Sequence, residues 1–130
     1  MGDPLKSVRR AGLAGLILIL STSPAVRAEG ARTAPALWGH GVKTCSAYLA
    51  TVPPTEAPTE LASEDFHRYR QWLAGLVSGL NLAVGRDVLK GAELDAAMSR
   101  IAAICKDNPE DDFFNASLRL VRSLGQLKAD

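Results

Sequence analysis

The chain has 130 residues, of which 15 are Lys or Arg and 14 are Asp or Glu, for a formal net charge of +1. That length suits one small domain, and a balance so close to zero leaves no basic footprint for nucleic acid. Lys6, Arg9 and Arg10 make a positive start, Leu13 to Leu20 is an apolar run, and Val26-Arg27-Ala28 has the residues a signal peptidase reads. This layout predicts a cleaved secretory signal over 1–28. The apolar run is too short for a membrane-spanning helix, which takes about 20 residues. Cleavage removes Asp3, Lys6, Arg9, Arg10 and Arg27, leaving 102 residues with 11 basic and 13 acidic side chains, a net of −2. The expected product is soluble and periplasmic, with no second apolar segment able to span a membrane.

Residues 29–41 are small, polar and Pro-containing, and read as a flexible lead-in to a helical domain over 42–126. A first helix is expected over 42–50, where Val42, Cys45, Tyr48 and Leu49 share a face. The three prolines of 53–58 cannot continue it, because each lacks a backbone donor and fixes φ. A long second helix is expected over 63–83, with Ser63 as N-cap and Glu64 and Asp65 at the positive end of the helix dipole. Phe66, Tyr69, Leu73, Leu76, Val77, Leu80 and Ala83 form its apolar stripe, bordered by Trp72, and His67, Arg68, Arg70 and Gln71 form its wet face. Gly75 and Gly79 each cost about 1 kcal/mol of helix propensity relative to Ala. The expected compensation is close packing of another helix across the pair; the polar face argues against a membrane small-xxx-small motif.

Residues 81–91 carry Gly85 and Gly91 and read as a turn-rich connection. A third helix over 92–107 would bury Leu94, Met98, Ile101, Ala102 and Cys105. A fourth over 109–125 would take Asn108 as cap and Pro109 as its first residue, with Glu110 to Asp112 in its first turn. It would bury Phe113, Ala116, Leu120, Val121 and Leu124 and stop at Gly125. Residues 127–130 form a tail. No strand is expected. The fold class is all-α, a small bundle of about four helices.

The two cysteines of an exported chain meet an oxidising compartment, where a pair reads as a staple. A Cys45–Cys105 disulfide would close a loop of 60 residues, worth roughly 4 kcal/mol by chain-entropy reasoning. His40, Cys45, His67 and Cys105 include no tight ligand pair, so neither a metal site nor any other cofactor is expected. The Glu110-Asp111-Asp112 cluster is accounted for by the helix start. Asn115-Ala116-Ser117 matches a glycosylation sequon but lies inside a helix. No phosphate loop or nucleophile–base pairing is visible, and a non-enzymatic role is expected.

Three islands carry a resemblance. They are Thr44-Cys45-Ser46-Ala47-Tyr48-Leu49, then Trp72-Leu73-Ala74-Gly75-Leu76 with Gly79 and Asn81, and Leu94 through Cys105-Lys106-Asp107-Asn108-Pro109. Together they resemble the HdeA/HdeB-type periplasmic acid-stress proteins over residues 42 to about 121. The resemblance implies a helical domain bridged by Cys45–Cys105, and a homodimer. It also implies a chaperone that loosens at low pH and covers unfolded exported clients. Phe66, Trp72, Phe113 and Leu120 would be its client contacts. With carboxylates protonated below about pH 3 and both histidines charged, the side-chain balance moves from −2 toward +13. The Pro-rich insert at 53–58 and the wide cysteine spacing depart from that pattern, and bear on the dimer interface and acid switch more than on the fold. The outline also resembles Tai-type immunity proteins, which bind one secreted toxin enzyme, although those carry additional cysteines. A structural exported protein is the third alternative.

Overall fold

The computed structural model describes residues 34–127, so the signal expected over 1–28 and the tail beyond residue 127 lie outside the described residues. Among the described residues there are four α-helices and no strand: α1 (Cys45–Leu49), α2 (Glu64–Val84), α3 (Leu94–Asp107) and α4 (Phe113–Ser123). Short 3-10 turns at Gly39–Val42 and Thr59–Leu61 precede α1 and α2. None of these helices is long and apolar enough to cross a membrane.

The second helix starts as its sequence predicts, with the Ser63 hydroxyl accepting from the Phe66 amide at 3.2 Å. It ends one residue later than expected, at Val84, and Gly85, with a φ of 69°, closes it in a left-handed cap that glycine adopts without Cβ strain. Phe66, Tyr69, Leu73 and Val77 are buried from its stripe, Leu76 and Leu80 are half-buried, and Ala83 is exposed. α3 presents Met98, Ile101, Ala102 and Cys105 to the core as expected, together with Ala97. α4 buries Phe113, Ala116, Leu120 and Val121. It also buries Ser117, whose hydroxyl donates to the Phe113 carbonyl at 2.7 Å and so costs the core no unpaired group.

α1 has only five residues, far below the length at which a helix stands alone. Tertiary bonds make it. The Cys45 amide donates to Asp111 O (2.7 Å) and the Ser46 amide to Pro109 O (3.0 Å), while the Phe113 amide at the start of α4 donates to Lys43 O (3.0 Å). Two helix starts thus satisfy each other's orphan donors across the Thr44–Asp112 bridge. The same exchange corrects the expected start of α4. Residues 108–111 form a turn whose Pro109 and Asp111 carbonyls are committed to α1, so the cap is Asp112, accepting from the Asn115 amide at 2.7 Å, and not Asn108.

The disulfide forms as expected. Cys45 and Cys105 are bonded with their Cα atoms 5.0 Å apart, within the range a bridge requires. It fastens α1 to α3 inside the core, where both residues have no exposed surface. Around it an aromatic cluster joins three helices: Tyr48 and Phe113 have ring centroids 4.6 Å apart, Tyr69 and Phe113 4.9 Å, and Tyr48 and Tyr69 5.1 Å.

Three expectations are corrected at the edges of this core. Val42 does not join the stripe of α1 but is 51% exposed in the first 3-10 turn. The lead-in expected up to residue 41 ends earlier, because that turn lies across α2 and α4. Gly41 is buried there, and a Cβ on it would overlap the Trp72 indole. The 85–93 connection does more than turn: Val88 and Leu89 are buried in the core. Asn81 Oδ1 accepts from the Val88 amide (2.8 Å), and the Asp87 carboxylate accepts from Leu89 (3.0 Å) and Gly91 (2.5 Å).

Candidate functional site

Aspartates stand at the joints of this bundle. At the first, Asp65 in the opening turn of α2 accepts from His40 Nε2 at 3.0 Å, with Lys43 Nζ at 3.9 Å, tying the 3-10 turn to the helix. The His40 hydrogen bond, opposed by slight desolvation and aided by Lys43, holds the Asp65 carboxyl below its ordinary range. At the second, Arg70 Nε on α2 meets Asp95 Oδ1 on α3 at 2.6 Å. At the third, the Gly91 and Leu89 amides, in that order, hold the Asp87 carboxyl low in the α2–α3 connection. At the fourth, Asp112 caps α4 and Arg119 lies 2.8 Å from Asp111 Oδ2, without hydrogen-bond alignment. The Cys45–Cys105 disulfide, by contrast, carries no titratable group.

His40, which the sequence places in the lead-in, is largely enclosed, edge-on to Tyr69 at 4.7 Å and paired with Asp65. His67 stays on the outer side of α2, near Glu60 and Arg70. Among the described residues no group of three or more His, Cys, Asp or Glu side chains is placed to hold a metal ion.

The residues expected to contact clients are in the core. Phe66 is 3% exposed, Phe113 0% and Leu120 3%. Trp72 is half-buried beside Phe113 and Phe114, and its Nε1 donates to Trp38 O at 2.9 Å. The folded bundle therefore does not present these faces, and any client contact through them requires the helices to separate. The expectation for Gly75 and Gly79 is overturned outright. Both lie on the exposed side of α2, and among the described residues nothing packs within 4 Å of where a Cβ would stand, so none of the described helices crosses them. The next turn on this side brings Leu82, 86% exposed.

One concave feature was not visible in the sequence. The Pro-rich connector stands away from α3 and leaves a cleft of about 250 Å³ between them, floored by Tyr48, Phe66 and Met98. Its apolar signal lies in Val52-Pro53-Pro54 and on the Met98 face of α3, but nothing local in either segment states that the two meet. No family model, curated protein or solved structure matches the chain.

Proposed function

We propose that the chain is an exported, periplasmic acid-stress chaperone of the HdeA/HdeB kind, non-enzymatic and protein-binding. The observation that carries this reading is a bundle centred on a disulfide in which aspartates tie the first 3-10 turn to α2 (Asp65), tie α2 to α3 (Asp95) and order the α2–α3 connection (Asp87). Acid protonates Asp65 and Asp87, whose carboxyls the fold holds low, and so removes what they contribute to the first 3-10 turn and the α2–α3 connection. The Cys45–Cys105 bridge survives and keeps α1 on α3. The apolar faces around Phe66, Trp72, Phe113 and Leu120 then become available to a denatured client, and neutral pH restores the joints and closes them again.

The test mixes the oxidised protein with an aggregation-prone exported client at pH 2–3 and then neutralises. The proposal expects aggregation to be suppressed in proportion to added protein and the client to be released on neutralisation. Unchanged client aggregation contradicts it.

A second reading is favoured by the exposed Gly75, Gly79 and Leu82 side of α2. An immunity-type protein, folded at neutral pH and gripping one toxin enzyme, would use such an unoccupied helix face. Gly79→Leu separates the two. It leaves client protection intact under the chaperone reading, and abolishes capture of a single partner at neutral pH under the other.

A further inference from the structure

The first 3-10 turn is fastened to the bundle by polar contacts alone. Of residues 37–42 only Gly41 is buried; Leu37, Trp38 and Val42 are 40%, 80% and 51% exposed, and no side chain of the segment enters the apolar core. Its ties all lead to α2. The Asp65 carboxylate takes both His40 Nε2 (3.0 Å) and Lys43 Nζ (3.9 Å), and Trp72 Nε1 donates to Trp38 O at 2.9 Å. The backbone runs along the nitrogen-bearing edge of the Trp72 indole, where a Cβ on Gly39 would stand 3.3 Å from Cδ1 and one on Gly41 would overlap Cζ2. From residue 43 onward the chain is pinned, with Lys43 O accepting from the Phe113 amide at 3.0 Å and Cys45 bonded to Cys105. A segment with so little buried apolar surface belongs to the low end of local stability.

We propose that residues 38–42 form an acid-released strap: protonation of Asp65 frees the turn from α2, and the turn swings about Lys43 to bare the Trp72 indole while the disulfide-stapled helices stay packed. The charges that bear on the Asp65 carboxylate are His40 and Lys43 from the turn and Arg68 from α2, with the Tyr69 ring edge-on to His40. α4 also lies against the turn, but its Arg119 faces Asp111, and neither Arg119 nor Arg122 acts on Asp65. One carboxylate thus carries both charged ties. Ionised, it makes a charge-assisted bond with His40 and attracts Lys43; protonated, it offers Lys43 no charge and leaves His40 a weaker, neutral acceptor. The exposed Trp72–Trp38 hydrogen bond is then the turn's one remaining polar tie to α2, and a single such bond holds little on its own. What the strap uncovers is aromatic, since Trp72 stands edge-on to Phe113 (5.8 Å) and Phe114 (6.3 Å). This release needs no client, and so does not rest on the chaperone reading.

The experiment measures acrylamide quenching of Trp72 fluorescence in the full oxidised protein. Trp38→Phe, at an exposed position whose backbone carbonyl is kept, makes Trp72 the one tryptophan of the chain. In that background Asp65→Asn imitates the protonated carboxyl and His40→Ala unties the turn from its own side. Asp95→Asn, which loosens the α2–α3 pair instead, is the control. At pH 7 the quenching constant is expected to rise about twofold or more in Asp65→Asn and His40→Ala, each keeping a cooperative unfolding transition, and to stay unchanged in Asp95→Asn. The parent reaches the raised value only below about pH 4. Trp72 as well shielded at pH 7 in either strap variant as in the parent overturns the proposal. An equal rise in Asp95→Asn also overturns it, as does loss of the cooperative transition in both strap variants, because the indole would then be covered by the bundle as a whole.

Discussion

Two buried tyrosines in the same aromatic cluster make opposite uses of the same oxygen. Tyr48 donates to Met98 O, whereas the Tyr69 hydroxyl is buried with no partner. Burial pushes both phenols above their ordinary range, each helped by a neighbour: Tyr69 for Tyr48 and Asp65 for Tyr69. A satisfied hydroxyl contributes about 1 kcal/mol and an orphaned one costs about 1–3 kcal/mol. Tyr48→Phe is therefore expected to destabilise the protein by about 1 kcal/mol and Tyr69→Phe to leave it unchanged or stabilise it. Chemical denaturation of the two variants checks this, and the sign of the difference is the result that matters. Gly41 tests a different contact. Its missing side chain makes room for the Trp72 indole, so Gly41→Ala should cost about 1–3 kcal/mol as overpacking does.

The helices differ in what holds them. α2 has its own cap and stripe, and both were legible because they depend on residues close in sequence, whereas its last turn, residues 81–84, was read as part of the connection. The cysteine pair was legible too, since redox compartment and helix faces both point to a bridge. α1 and the start of α4 were not, because the Pro109 and Asp111 carbonyls, which would have served a new helix, accept instead from Ser46 and Cys45, more than 60 residues upstream. Val88 and Leu89 were hidden between two glycines, and their burial depends on the Asn81 and Asp87 side chains folding the connection inward. Gly75 and Gly79 misled for a related reason: spacing states that a helix has a bare face, not what covers it. With nothing near either Cβ position, Gly75→Ala and Gly79→Ala should each stabilise the protein by up to about 1 kcal/mol through helix propensity, read as a rise in Tm. Replacing both cysteines by serine removes the constraint that makes a five-residue α1 tenable. It should cost roughly 4 kcal/mol, seen as a large fall in denaturation midpoint without change at the α2 cap.

At the scale of the whole molecule, acid acts on charge and on the joints together. Folding lowers the pKa of Asp65 and Asp87 relative to the ordinary value of 3.8, so the unfolded chain takes up those protons first as pH falls. Their stabilisation is complete above about pH 4 and is lost as pH drops below the ordinary carboxylate value through the lower folded ones. Over the same window rising positive charge makes the helices repel one another. Asp65→Asn should flatten part of this pH dependence and lower stability at neutral pH, whereas the Cys45–Cys105 bridge limits expansion throughout. The most direct measurement is the near-ultraviolet circular dichroism of the oxidised protein from pH 7 to pH 2 and back, which follows the packing of Tyr48, Tyr69 and Trp72. The account predicts a cooperative loss of that signal below about pH 4 and its full return on neutralisation. An aromatic spectrum unchanged at pH 2 would contradict it, because the bundle would then have no acid-opened form with which to cover a client.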